Sequence, residues 1–421
     1  VLIATLVFLI SLCAYGQEQT APAEVTPQEK QEQESDDPKL IPELKYKQQP
    51  GLAYAASKIY FADQKYSFSG FGEVNAVRYA GESNRESGDI ELFYTNLYRI
   101  SGFFGYKFSP RVIFNGEFLY EFLHDGRREY GTDVVIEAML DVLGNRYFNT
   151  RFGYFPIPMG YINNNDEPVM FNSVNRPEVE RIIIPSSWVA LGAMAYGSLT
   201  NHLSYSTVLV EGLNAGDFIG GSWIRQGRGT HSLPKDAAWG GQLLFSEGEE
   251  WQFGLSTYVG SSGIAGTPED PGRLRLPTAV HAAHGRYAQR RYSVTGVYSR
   301  GRLARTAEAF ARTGQVLGAR THGRYLEGDY DILPWFVKSP GRQRFRVFSR
   351  LEWLNTHAST DGALMDKPRT EQDLRILTFG ASYAPKRNLM FKSNYQFRTN
   401  NFKASPVPES NLAEFGMGFI F

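Results

Sequence analysis

Between Arg273 and Arg324 the chain carries eleven arginines, no lysine and a single acid, Glu308. A guanidinium stays charged when partly dehydrated and offers carboxylate or phosphate a planar fork, so such a segment on a wet wall would attract anions. The competing settings are external loops, where the same arginines would meet phosphates of lipopolysaccharide, and turns at the inner rim. Other chemistry is poorly provided for. There is no G-x-S-x-G, no H-E-x-x-H and no phosphate-cradling glycine loop. His281 and His284, three apart, would point to opposite faces of a strand, which argues against a metal site. His124, His202 and His357 fall near loops or turns, so no hydrolytic triad can be assembled from spacing. The reading is of a protein that is not an enzyme, with no catalytic residues, no metal, no cofactor and no nucleic acid partner.

The elements that must position these arginines alternate with period two. In the C-terminal stretch Leu389, Phe391, Tyr395 and Phe397 alternate with Met390, Lys392, Asn394, Gln396 and Arg398, and the chain closes on Phe415, Met417, Phe419 and Phe421. The same rhythm recurs at Tyr98 to Phe108, Val112 to Phe122, Val134 to Val142, Phe148 to Tyr154, Trp251 to Val259 and Phe345 to Trp353. Charge falls repeatedly on one face only. One such strand fits a soluble core; many in series fit a closed barrel with lipid outside and water inside. Connections alternate between short (Ser109-Pro110, 144–146, 200–202, 247–250, Lys386-Arg387) and long (80–90, 125–132, 213–237, 261–277, 357–372). From Tyr66 this gives about sixteen strands, with fourteen or eighteen as alternatives and residues 301–341 as the weakest part, and no convincing helix between strands. The predicted fold class is therefore all-β, a transmembrane antiparallel up-and-down β-barrel of residues 61–421, with a large soluble sandwich as runner-up.

Composition agrees. The 421 residues include 42 Gly, 24 Tyr and 29 Phe against one Cys, a balance suited to aromatic girdles at two membrane interfaces. Mean hydropathy is −0.34, which excludes a helical membrane protein. The apolar run from Val1, followed by Ala14-Tyr15-Gly16 and Gln17, reads as a signal peptide over 1–16; a membrane anchor, or a lipid on Cys13, are the alternatives. Residues 17–60 read as a disordered periplasmic leader, acidic at its start. The whole-chain charge of zero thus hides a basic remainder.

One connection is unlike the others. Phe155-Pro156-Ile157-Pro158-Met159-Gly160 stops a strand, and the next begins only near Trp188. Its apolar anchors Met170, Phe171 and Ile182 to Ile184 argue against disorder, so it is expected to fold into the barrel as a constriction loop, an external cap being the alternative. Asp166, Glu167, Arg176, Glu178, Glu180 and Arg181 make that loop net −2. Parity places Arg151, Arg344, Arg346, Arg350, Lys392 and Arg398 in the lumen, with Arg291 near its rim and Arg300 on the lipid-side register close to the mouth.

The run Arg151-Phe-Gly-Tyr-Phe-Pro-Ile-Pro-Met-Gly160, the later Trp188 with Gly192, Val210-Glu-Gly-Leu-Asn214 and residues 345–355 resemble the phosphate-selective porins O and P. The resemblance covers roughly Tyr66 to Phe421 in layout. It implies a trimeric sixteen-stranded channel of the bacterial outer membrane, in contact with lipid and lipopolysaccharide, whose third long loop folds inward and whose cations line an anion path. The lysine ring of the phosphate-selective members has no counterpart here, so phosphate selectivity is not carried over. The expected function is passive diffusion of small hydrophilic solutes, neutral or anionic. A barrel enzyme, or a structural or adhesive barrel with a filled lumen, are the alternatives.

Overall fold

The computed structural model describes residues 48–79, 96–124, 130–163, 165–185, 187–227, 236–248, 250–266, 272–402 and 410–421. The proposed signal peptide and most of the proposed leader lie outside the described residues. Sixteen antiparallel strands, each paired to its neighbours in sequence, form a closed barrel. They are β1 (Tyr66–Tyr79), β2 (Asn96–Ser109), β3 (Val112–His124), β4 (Tyr130–Leu143), β5 (Asn149–Pro156), β6 (Val189–Ser198), β7 (Leu203–Glu211) and β8 (Ala237–Glu247). The second half holds β9 (Trp251–Ile264), β10 (Leu274–Ala288), β11 (Tyr292–Leu303), β12 (Arg320–Asp331), β13 (Arg344–Ser359), β14 (Asp373–Lys386), β15 (Leu389–Asn400) and β16 (Leu412–Ile420). The ring closes where Val74 of β1 sits opposite Met417 of β16, and Gly70 and Phe421 exchange backbone hydrogen bonds of 3.0 and 2.9 Å. No helix among the described residues is long and apolar enough to cross a membrane; closure of the strands satisfies the backbone without one.

Burial is inverted relative to a soluble protein. The outward rows expose Phe68, Phe118, Leu209, Leu255 and Phe379, whereas Asp141, Arg151, Arg350 and Glu414 of the inward rows are fully buried. That is the alternation of the sequence made physical: the outward face is apolar and exposed, and the inward face buries charge largely in pairs such as Asp141 with Arg151. His281 and His284 fall on opposite faces, His284 inward and buried.

Among the described residues two α-helices interrupt the all-strand expectation. Helix α1 (Tyr54–Phe61) precedes β1. Helix α2 (Thr306–Thr313) stands in the connection between β11 and β12, where the sequence offered poor alternation and no helix was expected. It ends on Gly314 in the left-handed region at φ 70°, a standard glycine stop. The leader was expected to run to residue 60, but residues 48–60 are packed against the barrel wall. The reason is local: Leu52, Ala55, Ala56 and Ile59 give this stretch an apolar stripe that the acidic tract before it lacks.

Candidate functional site

The third loop, residues 157–188, is the inward one. It leaves β5 at Ile157 and turns at Gly160, whose φ of 68° suits glycine. Asn163 fastens its two ends together, donating to the Ile157 carbonyl at 2.6 Å and accepting from the Trp188 N–H at 2.9 Å. The Glu180 carboxyl accepts the N–H groups of Tyr161 and Ile162 at 2.6 and 2.9 Å and the Tyr325 hydroxyl of β12 at 2.8 Å. From there the loop spans the bore. Gln242 of β8 donates to the Gly160 carbonyl at 3.0 Å, and on the far side Asn175 donates to Glu414 of β16 at 2.5 Å. Gly418 on β16 leaves the room: a Cβ there would lie 2.5 Å from Pro168 of the loop. The expected inward fold is what the chain adopts.

The lumen arginines do not form an open ladder. Arg151 is buried against Asp141, Nε to Oδ1 at 2.8 Å and Nη2 to Oδ2 at 3.1 Å, and its Nη1 donates to the Pro50 carbonyl. Arg350 is spent on Glu352 at 2.7 Å, Glu327 at 3.0 Å and the Ser173 hydroxyl at 2.6 Å. Arg398 pairs with Glu178 of the loop at 3.3 Å, and Lys392 donates to the Ser173 carbonyl at 3.0 Å while lying over the Phe171 ring. These four face inward as parity requires and are closed off from water; Arg350, Arg398 and Lys392 bind the loop to the wall, whereas Arg151 holds the segment before α1. Arg344 and Arg346 differ: they keep 33 and 27 % of their side-chain surface, opposite Asp331 and Asp329 at 3.5 Å. Arg291 stands exposed at the tight turn between β10 and β11. Of the loop charges, Asp166 pairs with Arg176 at 3.1 Å and with Arg99 of β2 at 3.6 Å, and Arg181 pairs with Glu178 at 3.3 Å. The loop's negative balance is thereby offset by the wall.

Open space remains on the short-turn side of the loop, a solvent-open cleft between the loop and strands β10 to β13, with Met390 of β15 at its edge. Arg286, Arg346, Glu327, Asp329, Asn172 and Tyr161 are the groups that give it character. Arg286 makes no ion pair among the described residues, which leaves it able to meet a solute. Sequence reasoning had placed Arg286 only in the arginine-rich segment; its parity with buried His284 was the signal that it points inward.

Helix α1 fills another part of the lumen, against β1, β2 and β3. Glu167 of the third loop accepts the N–H groups of Tyr54 and Ala55 at 3.0 and 2.5 Å, capping the helix. Asn115 of β3 donates to the Ala56 carbonyl at 2.6 Å, Ser69 of β1 to the Ala55 carbonyl at 2.6 Å, and Gln49 to the Tyr196 hydroxyl at 2.8 Å. Gly105 of β2 is required here, since a Cβ would come within 2.4 Å of Ile59. Over the opposite mouth residues 212–227 of the fourth loop bury Phe218, Trp223 and Ile224, and the Trp223 indole donates to the Gly318 carbonyl at 3.1 Å.

Burial pushes the Glu167 carboxyl up to about 8, with Asp166 and Glu117 adding to the rise and the two helix N–H donors opposing it. A docked value above the free one of 4.5 means docking is strongest below that pH and weakens as pH rises through about 8. The amides of residues 54–61, corrected for intrinsic exchange, should therefore be better protected at pH 6 than at pH 9. Glu167→Gln should remove that difference; protection independent of pH in the unaltered protein would show that Glu167 does not control docking.

No family model matches the chain. An uncharacterized protein of Aquifex aeolicus is 30 % identical over 370 residues, 85 % of this chain and 80 % of that protein. The chain belongs to the family of that protein. Among solved structures it is similar to the outer membrane channel DcaP of Acinetobacter baumannii (TM-score 0.55, 11 % identity, 85 % of this chain and 97 % of that one). It is similar also to OmpF of Salmonella typhi in complex with daunomycin (0.52, 12 %, 85 and 97 %) and to an anion-selective porin from Comamonas acidovorans (0.50, 13 %, 85 and 99 %). At such identities the likeness is one of fold: a porin-like sixteen-strand barrel.

Proposed function

We propose that this member of the Aquifex protein's family is a diffusion channel of the bacterial outer membrane, without a reaction of its own. The carrying observation is a closed ring of sixteen strands whose exposed row is apolar and whose inward row is charged, with a loop inserted across the bore. An apolar exterior needs hydrocarbon, and a polar interior needs water. In the orientation this reading gives, the short turns and α1 face the periplasm and the long loops face outward. Trimerisation and contact with lipopolysaccharide belong to the same reading.

The solutes are small and hydrophilic, neutral or anionic. Weak anion preference is supported by Arg286, Arg344 and Arg346, which keep contact with open space, and not by Arg151, Arg350, Lys392 or Arg398. Planar-bilayer recording is the test: stepwise conductance is expected, with a reversal potential on the anion side. The variant Arg286→Ala with Arg346→Ala should move the reversal potential toward cations, whereas an unchanged permeability ratio would take both out of the ion path. A second reading, a structural barrel with a filled lumen, is favoured by the packing of α1, the third loop and the fourth loop into the bore. A silent bilayer after correct insertion would establish it.

A further inference from the structure

Part of the arginine-rich segment faces neither the lumen nor a loop. Arg300 and Arg302 of β11, Arg320 and Arg324 of β12 and Arg375 of β14 stand exposed on the outward rows at the long-loop end. Strand register joins them into one patch. Arg302 lies opposite Arg320, Arg300 opposite His322, and Arg324 opposite Trp353, which in turn lies opposite Arg375. Adjacent strands are about 4.8 Å apart, so like charges here are neighbours with nothing between them. Among the described residues none of the five pairs with a carboxylate. The acids of the same strands, Glu327, Asp329 and Glu352, turn inward to the third loop and the lumen arginines.

The patch begins where the oily belt stops. Tyr298, Leu326, Leu351 and Phe379, on the short-turn side of the arginines, are exposed apolar or aromatic side chains. The Arg324 guanidinium lies over the Trp353 ring at 5.1 Å, an aromatic support at the boundary. Five uncompensated guanidinium groups at that height need anions supplied from outside the chain.

We propose that this face binds the phosphate groups of a phosphorylated glycolipid in the leaflet at the long-loop end. The inference rests on the outer-membrane reading above. Guanidinium groups grip phosphate through paired hydrogen bonds, and a lipid phosphate is held by its own acyl chains at the depth where these side chains stand. A second copy of the chain is a poor occupant, because the outward rows of the described strands offer little negative charge. Glu211 is buried, Glu247 lies at the opposite end, and Asp373 receives the Asn401 amide.

The test uses the full-length barrel folded in detergent, with lipid A as the probe and bound lipid counted by mass spectrometry. The variant carrying Arg300→Gln, Arg302→Gln, Arg320→Gln and Arg324→Gln should retain about tenfold less lipid A than the unaltered protein, while the four-lysine counterpart keeps an intermediate amount. Heat-modifiable migration reports folding; should the fourfold variant not fold, Arg302→Gln and Arg320→Gln are compared singly. Unchanged lipid retention overturns the proposal. So does equal retention of dephosphorylated lipid A, or release of lipid by millimolar inorganic phosphate, which would make the ligand a free anion. Loss of an oligomer with lipid content unchanged would assign the face to a protein contact instead. Conductance with no lipid retention would sink this inference alone, and lipid retention without conductance would sink the channel reading alone.

Discussion

Removing residues 48–62 is expected to raise single-channel conductance about twofold or more, since a helix with its side chains fills a cylinder roughly 10 Å across. The segment lies inside the wall, where every square ångström it covers is lost to the aqueous path. It is held at several points: Glu167 at the helix start, Asn115 and Ser69 on its carbonyls, Arg151 on Pro50, and Lys107 on the Ala62 carbonyl. Those contacts are distributed over β1, β2, β3, β5 and the third loop, so none of the strands depends on the helix for its pairing. Heat-modifiable migration should accordingly survive the deletion. The weaker variant Glu167→Ala with Asn115→Ala should give fluctuating openings in place of a steady increase. Conductance identical to that of the full chain would show that the third and fourth loops, and not α1, set the resistance.

Arg151→Met is expected to lower stability by about 3 to 5 kcal/mol, because it strands a carboxylate in the interior. Asp141 has no exposed surface, and two of its contacts come from the Arg151 guanidinium; what remains is the Tyr196 hydroxyl at 2.9 Å. The loss should appear as a lower temperature for conversion of the compact to the unfolded gel form. Combining it with Asp141→Leu should recover most of the deficit, since two apolar groups of similar volume remove the unpaired charge together. A single variant as stable as the parent would mean that water reaches Asp141, and the picture of a sealed lumen on this side would have to be abandoned.

How the lumen is occupied was only partly legible beforehand. Arg350 and Arg344 share parity in the sequence, and both point inward, yet one is locked between Glu327, Glu352 and Ser173 while the other faces open space. Nothing in the spacing along β13 separates them; the difference comes from where the third loop crosses. Arg286 was visible only as one arginine among eleven. Helix α1 was hidden because eight residues of modest amphipathicity carry little signal, and the partners that cap and cover them lie as far away as Asn115 and Glu167.

The sequence alone determined the character of the wall: alternating apolar and polar rows, an even number of strands near sixteen, where most tight turns lie, and that residues 157–188 are too apolar to hang free. These follow from period-two alternation and turn chemistry, which are local and repeat along the chain. Only the tertiary structure decided which cations are spent and which remain available. A charge's role depends on a partner brought beside it by folding, and the third loop brings residues from β8 to β16 within reach of a single strand-free segment. The outward arginines of β11, β12 and β14 make the same point from the other side: the parity of Arg300 was readable, but the outward placing of Arg320 and Arg324 and their joining into one patch required the strands and their register.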